Sequence, residues 1–242
     1  MNRRDILTFG GASALTWALP RSAQARTGFS MIKMVFVGDQ GIGKSCMLVS
    51  YTTNRFPAEG VVAGFDTLTY QRVYQGQPTQ LELADTPGAE AFDAIRPLAY
   101  PGADVVGLGF SITDRGSLAA VTERWLPDIR HHLPRAPIIL IGMKADQRDN
   151  PDPGQTDLVA REEGEALALA TGSAAYRENS GLNQAGLAQT FQTLIDAARG
   201  EPVGRAQSPI RREPRPGQTA LTPARRPVPR RGGGGGGGRA GG

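Results

Sequence analysis

The sequence predicts an α/β fold: a six-stranded, mostly parallel sheet with helices on both faces. Two observations carry this. Short apolar runs, bounded by glycine or polar clusters, alternate with longer helical stretches throughout residues 31–200. Strands alternating with helices pair mostly parallel, because each helical crossover returns the chain to the same end of the sheet. The second observation is a glycine-rich turn after the first apolar run, Gly38-Asp39-Gln40-Gly41-Ile42-Gly43-Lys44-Ser45. Ligands of such folds bind at the carboxyl ends of the strands, and this turn lies at one.

The elements follow in order. Residues 31–37 read as a buried strand, followed by the glycine-rich turn and a helix to about Asn54. Residues 68–74 and 79–84 read as two strands joined by the turn Gln75-Gly76-Gln77-Pro78. Residues 104–110 and 137–142 are further buried strands, with a helix over 115–133 between them. Residues 159–171 and 183–199 read as helices, and 174–177 as the last strand.

Only residues 31–200 carry periodic apolar patterning, about the length of one domain with a single core. The net charge of +4 belongs to the ends. Residues 201–242 hold nine Arg against two Glu, and residues 1–30 four Arg against one Asp. Those excesses together outweigh the whole chain's, so the stretch between is mildly acidic and offers no nucleic-acid-binding face. Cys46 is the single cysteine, so no intrachain disulfide forms.

Arg3-Arg4-Asp5-Ile6-Leu7 resembles a twin-arginine export motif. A weakly apolar run over 6–19, then Pro20 and Ala23-Gln24-Ala25, predicts a signal peptide over 1–25 with cleavage after Ala25. The run is shorter than the roughly 20 residues a membrane-spanning helix needs. The expectation is export to the bacterial periplasm if residues 1–25 are used, and a cytoplasmic protein if Met31 is the start. Residues 201–242, with seven Pro and a glycine run over 232–238, predict a tail that cannot bury enough apolar surface to fold. Such a tail is either solvated or an Arg-rich arm touching anionic lipid, acidic protein or nucleic acid. With no cysteine near its end it offers no prenylation site.

The turn over 38–45 matches G-x-x-x-x-G-K-[ST] in the required setting, after a strand and before a helix. Its glycines let backbone N–H groups turn inward, and the helix N-terminus favours an anion. Lys44 would neutralise outer phosphates, and Ser45 offers a hydroxyl to Mg²⁺. Further on, Lys144-Ala145-Asp146 follows an apolar strand. A carboxylate there can accept from the two donors on a guanine edge, which adenine does not present together. Ser180-Gly181, after the last strand, suits a loop whose backbone N–H meets the guanine carbonyl.

Across residues 31–199 the chain resembles a Rho-family small GTPase, a branch of the Ras superfamily with a phosphate-loop G domain. The stretches that carry this are Ser50-Tyr51-Thr52-Thr53-Asn54-Arg55-Phe56-Pro57, Asp85-Thr86 and Arg96-Pro97-Leu98-Ala99-Tyr100-Pro101. Arg124-Trp125-Leu126-Pro127-Asp128-Ile129-Arg130-His131-His132 is more specific still. The resemblance implies GTP or GDP bound with Mg²⁺. The nucleotide contacts it implies are Asp39, Gln40, Gly41, Ile42, Gly43, Lys44, Ser45, Cys46, Phe56, Gly88, Lys144, Asp146, Ser180 and Gly181. It implies Ser45 and Asp85 as metal-binding residues and Phe56 packed on the base. Loops 56–66 and 86–100 would be the two switches that engage a protein effector or regulator. His131 and His132 fall on a helix end and read as structural.

The departures cluster where hydrolysis is catalysed. The family's switch II carries D-T-A-G-Q, whose Gln orients the attacking water, whereas this chain has Asp85-Thr86-Pro87-Gly88-Ala89. Ala63 stands where switch I carries a threonine, and Gln40 where the phosphate loop usually carries glycine. Ala89 and Gln40 thus occupy the family's catalytic positions without its chemistry, although the Gln40 amide could itself orient water. The expectation is binding with slow or defective hydrolysis. Two alternatives stand beside it: an active switch whose partner supplies the missing groups, and a nucleotide-free scaffold. Residues 147–163 are also too short, with Pro151, Pro153 and Gly154, for the family's long insert helix.

Overall fold

The computed structural model describes residues 30–61, 64 and 66–203. The leader over 1–25, Ala63 and the tail from residue 204 lie outside the described residues. The strands are β1 (Ser30–Val37), β2 (Asp66–Tyr74), β3 (Gln77–Asp85), β4 (Val105–Ser111), β5 (Ile138–Met143) and β6 (Ala175–Asn179). They form one sheet in the order β2-β3-β1-β4-β5-β6, parallel throughout except for the β2–β3 hairpin. The six-stranded, mostly parallel sheet expected from the sequence is therefore the one observed.

Every residue of β4 and β5 is buried, as a strand covered on both faces requires. In β1 successive side chains point to opposite faces. Met34 and Phe36 join a core layer with Met47 and Leu48 of α1 (Lys44–Thr53). Phe191 and Leu194 of α5 (Leu187–Ala198) complete that layer. Val35 and Val37 join the other layer, with Val121, Trp125, Ile129 and Ala168. That second face is covered by α2 (Arg115–Ala120), α3 (Leu126–His132) and α4 (Arg161–Ala170). Each large apolar side chain fully buried here stabilises the fold by about 1.5–3 kcal/mol.

Four expected boundaries shift, each for a local reason. The β2–β3 turn is two residues rather than four, because Tyr74 pairs with Gln77. Gln75 and Gly76 both have positive φ, 47° and 77°, the handedness that matches strand twist in a tight hairpin. The helix expected over 115–133 is interrupted by a π turn at Val121–Trp125. Pro127 lacks an N–H and its ring crowds the carbonyl four residues back, so the ladder shifts register there. The helix α4 starts at Arg161 because Val159 is fully buried and its N–H donates to Ile112 O at 2.8 Å, which keeps that stretch extended. Likewise α5 starts at Leu187, since Gly186 is left-handed and Ser180 N–H closes a loop onto Ala185 O at 2.9 Å. At the far end, Val203 still packs on the core and Tyr74 Oη donates to Glu201 Oε2 at 3.0 Å. The start of the predicted tail therefore touches the folded part. None of the described helices is long and apolar enough to cross a membrane.

The strand order reverses around β1, with β3 added on one side and β4 on the other, all three parallel. That crevice, outside the carboxyl ends of the strands, is where open α/β sheets receive ligands.

Candidate functional site

Gly38 ends β1 in a conformation open to glycine, φ 145°, and a Cβ there would lie 2.4 Å from the Gly109 carbonyl oxygen of β4. The loop can leave the sheet only because that side chain is missing. Asp39 and Gln40 follow, half-buried and exposed, then exposed Gly41, buried Ile42, and half-buried Gly43, which caps α1 in a left-handed conformation. Lys44 is buried and its Nζ donates to the carbonyls of Gly38 and Asp39, each at 2.7 Å. Burial lowers its pKa to about 8, against the opposing pull of Asp85 and Asp39. An anion placed beside it would raise that pKa again.

Ser45 Oγ donates to Asp85 Oδ2 at 2.5 Å. The register Phe36↔Asp85 brings the end of β3 level with the end of β1, which sets up this contact. Asp85 Oδ1 is buried without a hydrogen-bond partner among the described residues, and burial raises its carboxyl pKa despite Ser45 and Lys44. An orphaned carboxylate oxygen beside a hydroxyl suits a hard divalent cation. Mg²⁺ in particular binds through one or two protein oxygens and takes the rest from phosphates and water. The donor set present fits the ion. A cavity of about 220 Å³ opens here, lined by Gln40, Gly41, Gly43, Lys44, Ser45 and Cys46. Val61, Gly64, Thr86, Pro87 and Gly88 line it from the other side. Burial raises the Cys46 thiol pKa, so the thiol is the dominant form.

The base-side residues gather at the ends of β5 and β6. Lys144 leaves β5 left-handed, φ 63°, and starts the tight turn Ala145–Arg148 that carries Asp146. Ser180 Oγ donates to Asp146 Oδ1 and accepts from the backbone N–H groups of Leu182 and Asn183 at 3.0 and 3.3 Å. Ser50 of α1 donates to Gly181 O at 2.8 Å, which ties this loop to the helix that begins at the phosphate loop. Phe56 follows α1 and is half-buried; no hydrogen bond or ring contact joins it to Lys144 or Asp146 among the described residues. His131 and His132 lie at the end of α3, and His132 Nδ1 sits 2.9 Å from Asp128 O, a helix-end contact.

Several residues shape the site without having announced themselves. Glu178 is buried beneath the base-side turn and accepts from Arg148 at 2.6 and 2.8 Å, Arg161 at 2.9 Å and Tyr176 at 2.8 Å. Arg96, with its side chain 2% exposed, donates to the carbonyls of Pro87 and Ala89, both at 3.0 Å. Trp125 Nε1 donates to Asp39 Oδ1 at 2.9 Å. The sequence signal for these was only that Arg96 and Trp125 stood in stretches carrying the resemblance. Asp39 and Trp125 are 86 residues apart, and no local pattern pairs them. Ala89 contributes a methyl group and a carbonyl already engaged by Arg96 and by the Phe92 N–H.

The geometry is thus a glycine-rich loop with a buried lysine, a hydroxyl–carboxylate pair that suits a hard cation, and a second carboxylate-bearing loop at the same end of one sheet. Compared with known protein families, the chain matches the Ras family over residues 33–200, more than half its length. The chain belongs to the Ras family and is a small GTP-binding protein.

Proposed function

We propose that the protein is a Rho-like member of its family that holds GDP or GTP with Mg²⁺, hydrolyses GTP slowly, and acts through loops 56–66 and 86–100 on a protein partner. The observation that carries this reading is the contrast between the two halves of the site. Lys44, Ser45, Asp85, Asp146 and Ser180, the side chains that binding would use, are all present, and Ser45 contacts Asp85 as Ser180 contacts Asp146. Position 89, from which the family orients water, bears only a methyl group. Ser45 and Asp85 would hold Mg²⁺, which supplies charge neutralisation to phosphate oxygens when bound. Phosphoryl transfer depends on positioning and charge stabilisation, and an arginine finger alone is worth about 10³–10⁵ in rate. A site without the water-orienting amide, with Gln40 exposed beside the finger's approach, keeps affinity and forfeits turnover.

The reading is tested by denaturing purified residues 26–242 and separating the released nucleotide. Near-stoichiometric guanine nucleotide with a GTP majority supports it. A pocket that is empty and refuses added GDP and GTP with Mg²⁺ sinks it and leaves a scaffold. The hydrolysis half is tested separately: Ala89→Gln should raise single-turnover GTP cleavage by about tenfold or more. A native rate already typical of regulated GTPases would contradict it.

The same proposal includes export of the folded protein by the twin-arginine route, with nucleotide loaded before crossing. N-terminal sequencing of fractionated cells decides this point. An intact Met1 terminus on soluble cytoplasmic protein would exclude export.

A further inference from the structure

We propose that Gly28 and Phe29, the two residues upstream of Ser30, continue β1 along β3 and lay the Phe29 ring over an uncovered apolar patch of the sheet. Both lie outside the described residues, but the seat they would take is among them. It lies at the end of the sheet away from the glycine-rich loop, so the inference stands apart from the guanine-nucleotide reading.

The ladder is unfinished there. β1 pairs in parallel with β3 from Ser30↔Thr79 onward, yet β3 begins two residues earlier, at Gln77. Among the described residues, Gln77 and Pro78 pair only with Tyr74 and Val73 of β2. A strand continuing upstream in register therefore sets Phe29 opposite Pro78 and Gly28 opposite Gln77. Its direction is fixed on the face packed by α1 and α5. There Arg199 Nη2 donates to Ser30 Oγ at 3.3 Å and to Thr79 Oγ1 at 2.9 Å, holding the first residue of β1 beside its partner.

Strand alternation then assigns each side chain a face. Val35 and Val37 face the layer under α2 to α4, so Met31 and a residue at 29 share that face. Its lower part is uncovered: Met31 is 61% exposed, and Val73, cross-strand from Pro78, is 67% exposed. Phe29 would lie beside Pro78 and Met31, its ring reaching across the proline toward Val73. Aromatic and β-branched side chains are favourable neighbours on a sheet face. Position 28 falls on the opposite face, in the row of Tyr74. That row is already filled: Arg199 Cζ sits 4.3 Å from the Tyr74 ring centroid, and the Tyr74 hydroxyl donates to Asp196 at 2.5 Å. Glycine, the residue the sequence carries there, adds no side chain to it. β1 spans eight residues, about 26 Å at its rise per residue, so a leader joined here enters the sheet that far from Gly38. The expected cleavage after Ala25 would leave residues 26–29, enough to fill both positions, whereas a chain starting at Met31 would leave the patch open.

The test is amide hydrogen exchange in the full chain, read at residues 28 and 29, one of whose N–H groups a parallel ladder engages. In the native protein that amide should exchange about tenfold or more slowly than in an unpaired chain. Phe29→Ser and Gly28→Val should each remove the protection, Val73→Ser should reduce it about threefold or more, and Phe29→Leu should keep most of it. Exchange in β4 and β5 should stay unchanged, which separates release of the segment from loss of the fold. Unprotected amides at both residues in the native protein overturn the proposal, as does protection that Phe29→Ser or Val73→Ser leaves intact. Protection that disappears on dilution, together with a dimer at high concentration, also overturns it, because a second copy would then be the occupant. Nucleotide binding plays no part in these readings, so its failure would count against the guanine site alone.

Discussion

Asp146 receives the Ser180 hydroxyl on one oxygen and the Gln147 amide at 3.3 Å on the other, and a carboxylate has lone pairs left for two more donors. Guanine offers two donors on one edge, so in the proposed site the charge of Asp146 would distinguish it from other bases. Charge-assisted hydrogen bonds of this kind contribute about 1.5–3 kcal/mol, so Asp146→Asn should weaken GDP binding by about 10- to 100-fold. Titration with a fluorescent GDP analogue measures it, and an unchanged affinity would place the base elsewhere. Glu178 makes the companion argument for stability. Burial pushes its carboxyl pKa up, but Arg148, Tyr176 and Arg161 more than offset this and hold it below the ordinary range. The stability it contributes is therefore complete above the unfolded value, about pH 4.3, and is lost as pH falls through the lower folded value. Because Arg148 and Arg161 are partly exposed, Glu178→Gln should cost on the order of 2 kcal/mol at neutral pH. Urea midpoints followed downward from pH 5 should then fall less steeply in the variant than in the native protein.

Among the elements, the β2–β3 hairpin gives the cleanest separation of backbone conformation from packing. Gly76 has φ 77°, and a Cβ added there would meet nothing within 4 Å, so Gly76→Ala tests the left-handed backbone alone. The expected loss is about 1–2 kcal/mol, seen as a lower denaturant midpoint with an unchanged m-value. A neutral result would mean that the turn relaxes. The interrupted helix over α2 and α3 shows the opposite case, where one residue sets an element's shape and its neighbours use it. Pro127 displaces the hydrogen-bond ladder, and both Val121 and Trp125 reach the core, fully buried. A pattern of helical period predicts a helix there but not which turn widens. That depends on which side chains the second face of the sheet can accept.

For the molecule as a whole, the phosphate and base loops sit on α1, β5 and β6 and are joined through Ser50 and Gly181, so a ligand touching both would tie these elements together. A ligand that binds only the folded state stabilises it by about 2.7 kcal/mol at a hundredfold excess over Kd. For a domain of this size that corresponds to a rise in Tm of about 5–10 °C. GDP with Mg²⁺ should produce it, ADP should not, and EDTA should reduce it; equal shifts with ADP would refute guanine selectivity. The sequence by itself determined the sheet, its mostly parallel sense, the glycine-rich loop and the Lys144-Ala145-Asp146 turn. Each of these is written in local spacing: apolar period, glycines flanking a lysine, a charged turn after a buried strand. Three further features were decided only by tertiary structure. These are the Asp39–Trp125 bond, the Arg96 grip on Pro87 and Ala89, and the burial of Glu178 under the base loop. The physical reason is the same for each. A buried polar group must find its partner across the core, and which partner it finds is fixed by how sheet and helices stack, not by its neighbours in the chain.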